Sequence, residues 1–132
     1  MIVPQAWITA ALSTAAGVFG PVRELAPPHR PLDKPVLVRV ANLRAMGLPR
    51  AAVGTTTWNG GRPKILIAPR VVREGREVTE CALIHEYGHL TGRRHSRNPR
   101  SIMYLRLDPA RCHAWLKRHH VGRRSRGPSR QS

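Results

Sequence analysis

The chain has 132 residues, 41% of them hydrophobic, which is enough for one domain with a buried core and leaves little room for further modules. Twenty-three Lys and Arg face seven Asp and Glu, and the formal charge of +16 points toward anionic partners: nucleic acid, an anionic surface or an acidic substrate. No run of 18 apolar residues occurs, which excludes a membrane-spanning helix, and the acids are too scarce to suggest calcium sites.

The first twenty residues are apolar. Ile8, Leu12, Ala15, Val18, Phe19 and Val22 recur at helical spacing and predict an amphipathic core helix. A secretory leader is the alternative, weakened because no Lys or Arg precedes the apolar run and Thr9, Ser13 and Thr14 interrupt it. The compartment stays open on these residues. Ala26-Pro27-Pro28-His29-Arg30-Pro31 is a proline-rich connector. Residues 35–40 are apolar and β-branched enough for a buried strand, and 42–49 read as a loop with one helical turn. Residues 51–58 predict a second strand, Asn59-Gly60-Gly61 a hairpin turn, and 63–68 a third strand that Pro69 stops. A helix is expected over 77–90, with Thr79 or a neighbour capping it. Asp108-Pro109 forms an N-cap and N1 pair opening a last helix to about His119. Residues 122–132 have no apolar anchor and are expected to be a basic, disordered tail, leaving 1–121 as a single domain.

The most specific pattern lies at 85–95, His-Glu-Tyr-Gly-His-Leu-Thr-Gly-Arg-Arg-His. On a helix, His85 and His89 sit one turn apart on the same face, so both imidazoles can reach one ion. Glu86 projects beside that face, where a carboxylate can take a proton from water at the metal. Gly92 lets the chain leave the helix in a left-handed conformation, and the turn brings back His95 as a third nitrogen. Three protein ligands leave a fourth position open, the arrangement of a catalytic zinc rather than a structural one. The polar run Ser96-Arg97-Asn98-Pro99-Arg100 forms a turn before Ser101-Ile102-Met103-Tyr104.

Two cysteines, Cys81 and Cys112, are too few for a disulfide framework. They fit equally as buried small hydrophobes or as a single bridge between neighbouring helices. Twelve of the 23 Lys and Arg fall after Gly92, opposed by Asp108 alone, so weak association of this basic C-terminal part with anionic polymers or surfaces is expected. His29, His113, His119 and His120 are expected at the surface.

HExxHxxGxxH followed closely by Ser101-Ile102-Met103-Tyr104 resembles the metzincin zinc peptidases. His95-Ser96, the Asn98-Pro99 turn and a methionine eight residues past the last histidine are most similar to the matrixin branch. The resemblance is specific over about 58–115 and topological before that. It implies an α+β, zincin-like domain: a small mixed β-sheet with an N-terminal helix, a zinc-binding active-site helix, a Met-turn and a C-terminal helix. It also implies one catalytic Zn2+ held by His85, His89 and His95, Glu86 as general base, and Met103 in a tight turn beneath the ligands. Tyr104 would wall the pocket for the substrate residue after the scissile bond. A protein or peptide substrate would pair with the edge strand at 52–58, which places Val53, Gly54, Thr55 and Thr56 at the substrate pocket. The implied activity is that of a monomeric zinc-dependent endopeptidase. Two departures mark this chain: no strand precedes the long helix, and Leu105 stands where matrixins commonly have a proline after Met-Tyr. No cysteine lies ahead of the domain to supply the thiol-on-zinc latency of many matrixins. A nucleic-acid-binding protein that merely carries zinc, or a zinc-stabilised interaction module, would account for the charge or the histidines but has no use for Glu86.

Overall fold

The computed structural model describes residues 1–121, so the expected basic tail at 122–132 lies outside the described residues. The architecture is a small α+β fold in which helices pack against a three-stranded mixed sheet.

Helix α1 (Gln5–Phe19) starts after Pro4 and ends at Gly20, whose positive φ of 83° no β-carbon opposes. The buried stripe of α1 is Ala11, Thr14 and Ala15, with Ile8, Leu12 and Phe19 partly buried beside it. Val18, expected in the core, is exposed, because small residues one turn apart let the helix approach its neighbour more closely than a β-branched side chain would. Among the described residues no helix is long and apolar enough to cross a membrane.

Strands β1 (Leu37–Val40), β2 (Gly54–Asn59) and β3 (Arg62–Ile67) lie in the order β1-β3-β2. β1 runs parallel to β3, and β2 antiparallel to it. The hairpin joining β2 and β3 turns on Gly60 and Gly61, with φ of 60° and 80°, the pair of positive values a two-residue I′ turn requires. β3 is central, and its Ile65 and Ile67 are fully buried. β1 is an edge strand in which only Val38 is buried, not the buried strand its apolar composition suggests. A short 3-10 turn, Arg44–Met46, follows in the loop where one helical turn is expected.

Pro69 does more than stop β3. It occupies the first turn of a five-residue helix, α2 (Pro69–Arg73), where its missing N–H costs nothing. Helix α3 (Arg76–Leu90) is the spine of the molecule, with eleven of its fifteen residues buried. Burial on nearly every side reflects what surrounds it: α1, the sheet, α2 and the last helix. Its N-cap is Gly75, with no side-chain cap. Thr79, the expected cap, is instead inside the helix, its hydroxyl donating to the carbonyls of Gly75 and Val71 and so tying α3 to α2. Tyr87 anchors α1 to α3: its ring stacks on Phe19, and its hydroxyl donates to the Gly20 carbonyl at 2.8 Å.

Helix α4 (Pro109–Leu116) begins as expected, with Asp108 accepting the Arg111 backbone N–H at 2.8 Å. A π-helical turn, Lys117–Val121, continues it. Cys81 on α3 and Cys112 on α4 form a disulfide, resolving the two readings in favour of a bridge. Among the described residues no cysteine is free.

Candidate metal centre

The site is built on the C-terminal half of α3 and the segment that follows it. His85, Glu86 and Gly88 are buried and His89 half-buried, while His95 comes from the turn beyond the helix. Gly92, with φ of 91°, makes that turn possible. Its N–H donates to the His89 carbonyl and the Arg93 N–H to the Gly88 carbonyl, the pair of bonds that defines a Schellman motif. No atom lies near the position of an added Cβ, so the requirement at Gly92 is conformational rather than spatial.

The three histidines converge through their Nε2 atoms, with His89 Nε2 3.2 Å from His85 Nε2 and 3.1 Å from His95 Nε2. The contact between His85 and His89 is not an ordinary hydrogen bond. The Nδ1 of His85 lies 2.8 Å from the Ile102 carbonyl, and that of His89 lies 2.9 Å from the Arg93 carbonyl. A carbonyl only accepts, so each Nδ1 must carry the proton, and in a neutral imidazole Nε2 is then a bare lone pair. Two lone pairs facing each other at this distance repel unless a cation lies between them. About 3.3 Å is also the ligand–ligand spacing of a tetrahedral site with nitrogens about 2.0–2.1 Å from the ion. The donor set therefore fits a divalent transition metal, and the three residues can hold one. Burial holds His85 at a pKa of about 4, helped by the nearby His89 and His95 and opposed by the Ile102 carbonyl; desolvation and His89 lower His95 as well. Both are thus neutral and ready to donate at neutral pH.

Glu86 is 5% exposed, and burial raises its pKa from 4.5 to about 7. The neighbour that closes over it is Gly54, the first residue of β2. A β-carbon on Gly54 would lie 3.1 Å from Glu86 Cγ and 2.9 Å from the Leu66 carbonyl oxygen. The glycine is what lets the edge strand lie directly beside the carboxyl. Of the residues expected at the substrate pocket, Gly54, Thr55 and Thr56 fall on β2, paired to β3 on one side only. Alternation places Thr56 on the Gly54 face, toward Glu86, and Thr55 on the reverse. Val53 precedes the strand, partly buried against the core, its carbonyl accepting from Ala68 N–H.

The polar run after His95 is an ordered loop. Ser96 Oγ accepts from Asn98 N–H, Asn98 Oδ1 from Arg100 N–H, and Ser101 Oγ from Met103 N–H. Ser96 pairs with Tyr104 in an isolated bridge, and its N–H donates to the Met103 carbonyl at 2.9 Å. This pairing brings Ile102 to His85 and buries Met103 against α3. Gly88 is what admits Met103: a β-carbon there would collide with the Met103 sulfur. Tyr104, half-buried, carries Arg111 of α4 over its ring at 5.1 Å.

Gly88 and the Ile102 carbonyl, which pack against or orient the histidine helix, are the features that pattern reading does not single out. A glycine inside the last helical turn, costing up to about 1 kcal/mol against alanine, is the one signal available for Gly88. Of the remaining histidines, His113 is exposed and meets the Glu77 carboxylate, whereas His119 is partly covered, stacked on Trp115 at 3.7 Å.

No family model, curated protein or solved structure matches the chain. What the site does therefore rests on its geometry and on the motif.

Proposed function

We propose that this protein is a zinc-dependent endopeptidase with a zincin-like domain, similar in motif to the metzincins. The observation that carries the reading is the convergence of three imidazole Nε2 atoms on one point beside the buried Glu86 carboxyl. His85, His89 and His95 would hold the zinc, which when bound would supply a Lewis acid and lower the pKa of water to about 7.

The protein's own groups do the rest. The Ile102 and Arg93 carbonyls fix the tautomers of His85 and His89 and aim both rings. Glu86 would be the base that takes a proton from water and then delivers it to the leaving amine; burial raises its pKa to about 7 in the metal-free protein, and a neighbouring cation would favour the carboxylate form that accepts the proton. β2 offers an edge along which an extended peptide can pair, so affinity comes largely from backbone hydrogen bonds. Glu86 is the feature that separates this reading from a zinc-stabilised binding module, which requires ligands but no base.

Titration of zinc into chelator-stripped protein tests the proposal. Hydrolysis of a broad library of unstructured peptides is expected to rise in step with bound metal and to stop at a single equivalent. His85→Ala is expected to remove binding and hydrolysis together. Stoichiometric zinc binding with no cleavage anywhere in the library would refute it.

A further inference from the structure

We propose that the cleft selects acidic polypeptides, with Arg111 as the specificity-determining residue that meets a substrate carboxylate beside Tyr104; this rests on the peptidase reading above. Between positions 93 and 118 the sequence has eight Lys and Arg and one acid, Asp108. Arg94, Arg97, Arg100 and Arg106 are all exposed on the segment that also presents His95 and Met103, which makes that segment a basic rim of the chain. Arg118 joins them, its Nη2 donating to the Arg100 carbonyl at 2.9 Å. Acids that might neutralise the rim are engaged elsewhere: Glu77 meets His113, and Glu80 meets Arg76. Asp108 offsets the charge of Arg111, but among the described residues no salt bridge engages Arg94, Arg97, Arg100 or Arg106, and an anionic partner relieves their mutual repulsion.

Arg111 brings the preference close to the chemistry. Tyr104 bridges to Ser96, the residue after His95, and the Arg111 guanidinium sits over the Tyr104 ring. Nη1 of Arg111 donates to Asp108 Oδ2, which orients the planar fork. Its other edge suits a carboxylate, which a guanidinium binds in bidentate fashion.

A polypeptide fits better than a nucleic acid. Single-strand binding sites combine a positive groove with exposed aromatic faces on which bases stack. Among the described residues of this rim, the Tyr104 face is covered by Arg111, and Trp115 is buried under His119. The neighbouring edge strand suits an extended chain.

The test uses zinc-loaded protein and three fluorogenic peptides that share a core and differ only in Glu, Gln or Lys flanks. The Glu-flanked peptide is expected to be cleaved with kcat/KM about tenfold above the Gln-flanked one at low salt, the ratio falling toward one at high salt. Arg111→Gln is expected to cut that ratio about threefold or more, and Arg97→Gln with Arg100→Gln to flatten its salt dependence. Arg39→Gln, on the opposite edge strand, is expected to change neither. Fluorescence anisotropy of a labelled Glu-rich peptide on the Glu86→Gln protein reads binding without turnover. Equal cleavage of all three peptides would overturn the acidic preference and leave the peptidase reading standing. A single-stranded oligonucleotide that binds far more tightly than the Glu-rich peptide would overturn the preference in favour of nucleic acid. Cleavage of none of them would overturn the peptidase reading and this proposal with it.

Discussion

Gly88 and Met103 occupy one space. The missing side chain of a helical glycine, between two metal-site histidines, is filled by the sulfur of a methionine fifteen positions later. Gly88→Ala forces the Met103 side chain to move, and it sits one residue from the Ile102 carbonyl that orients His85. Overpacking of this kind costs about 1–3 kcal/mol, partly offset by the better helix propensity of alanine, about 1 kcal/mol. Urea denaturation is expected to show a net loss of at most about 2 kcal/mol, with weaker metal binding as the deciding readout. An alanine variant as stable as the parent and with unchanged affinity would show that Met103 does not support the site.

Gly54 offers the parallel experiment on the other wall. A methyl group there meets the Leu66 carbonyl oxygen at 2.9 Å, and backbone cannot swing away as a flexible side chain can. Gly54→Ala should push β2 off Glu86, lowering peptide hydrolysis severalfold or more while the three histidines still bind zinc. Unaltered kinetics would separate the edge strand from the catalytic cleft.

The disulfide between Cys81 and Cys112 closes a loop across 31 positions, joining the helix that carries the metal site to the one that carries Arg111. Restricting an unfolded loop of that size stabilises a fold by about 3–4 kcal/mol in the chain-entropy model. Replacing both cysteines with alanine is expected to lower unfolding free energy by about that amount, measured by urea denaturation of oxidised samples. A loss below about 1 kcal/mol would mean that helix packing alone holds α4 in place.

Metal-free protein carries a pH signature. Glu86 binds its proton up to a pH of about 7 in the fold, against 4.5 when unperturbed. Between those values the native state holds a proton that the unfolded chain has lost, so this group reduces stability as pH rises from 4.5 to 7. His85 acts in the opposite sense: its folded pKa of about 4, against 6.5, makes stability rise as pH increases from 4 to 6.5. The two contributions offset over most of that range. Glu86→Gln removes one of them, so in chelator the stability of the variant relative to wild type should grow by about 3 kcal/mol between pH 4.5 and 7. A difference that stays constant with pH would mean that Glu86 is not desolvated.

Legibility in the sequence followed the range of the interactions involved. The metal helix, the Gly92 turn and the Asp108 cap depend on residues within four positions of one another, and spacing alone sufficed to place them. The Gly60–Gly61 hairpin was equally readable, since only positive φ suits it. The five residues of α2 are too few for periodicity, and Pro69 reads as a stop when it also starts a helix. Whether Cys81 meets Cys112, whether β1 is central or at an edge, and which face of α1 is buried depend on how elements dock, which local pattern does not encode. At the site the histidine and glutamate types were legible. The spaces at Gly54 and Gly88 were not, because both are defined by side chains distant in the chain.

The central claim is that Glu86 serves chemistry rather than folding or metal retention. Zinc content and peptide hydrolysis measured side by side on wild type and Glu86→Gln test it most directly. The account predicts unchanged zinc content and a fall in hydrolysis of about 10²–10⁴-fold, with chelator abolishing what remains. A Glu86→Gln protein that binds zinc and cleaves at the wild-type rate would contradict it.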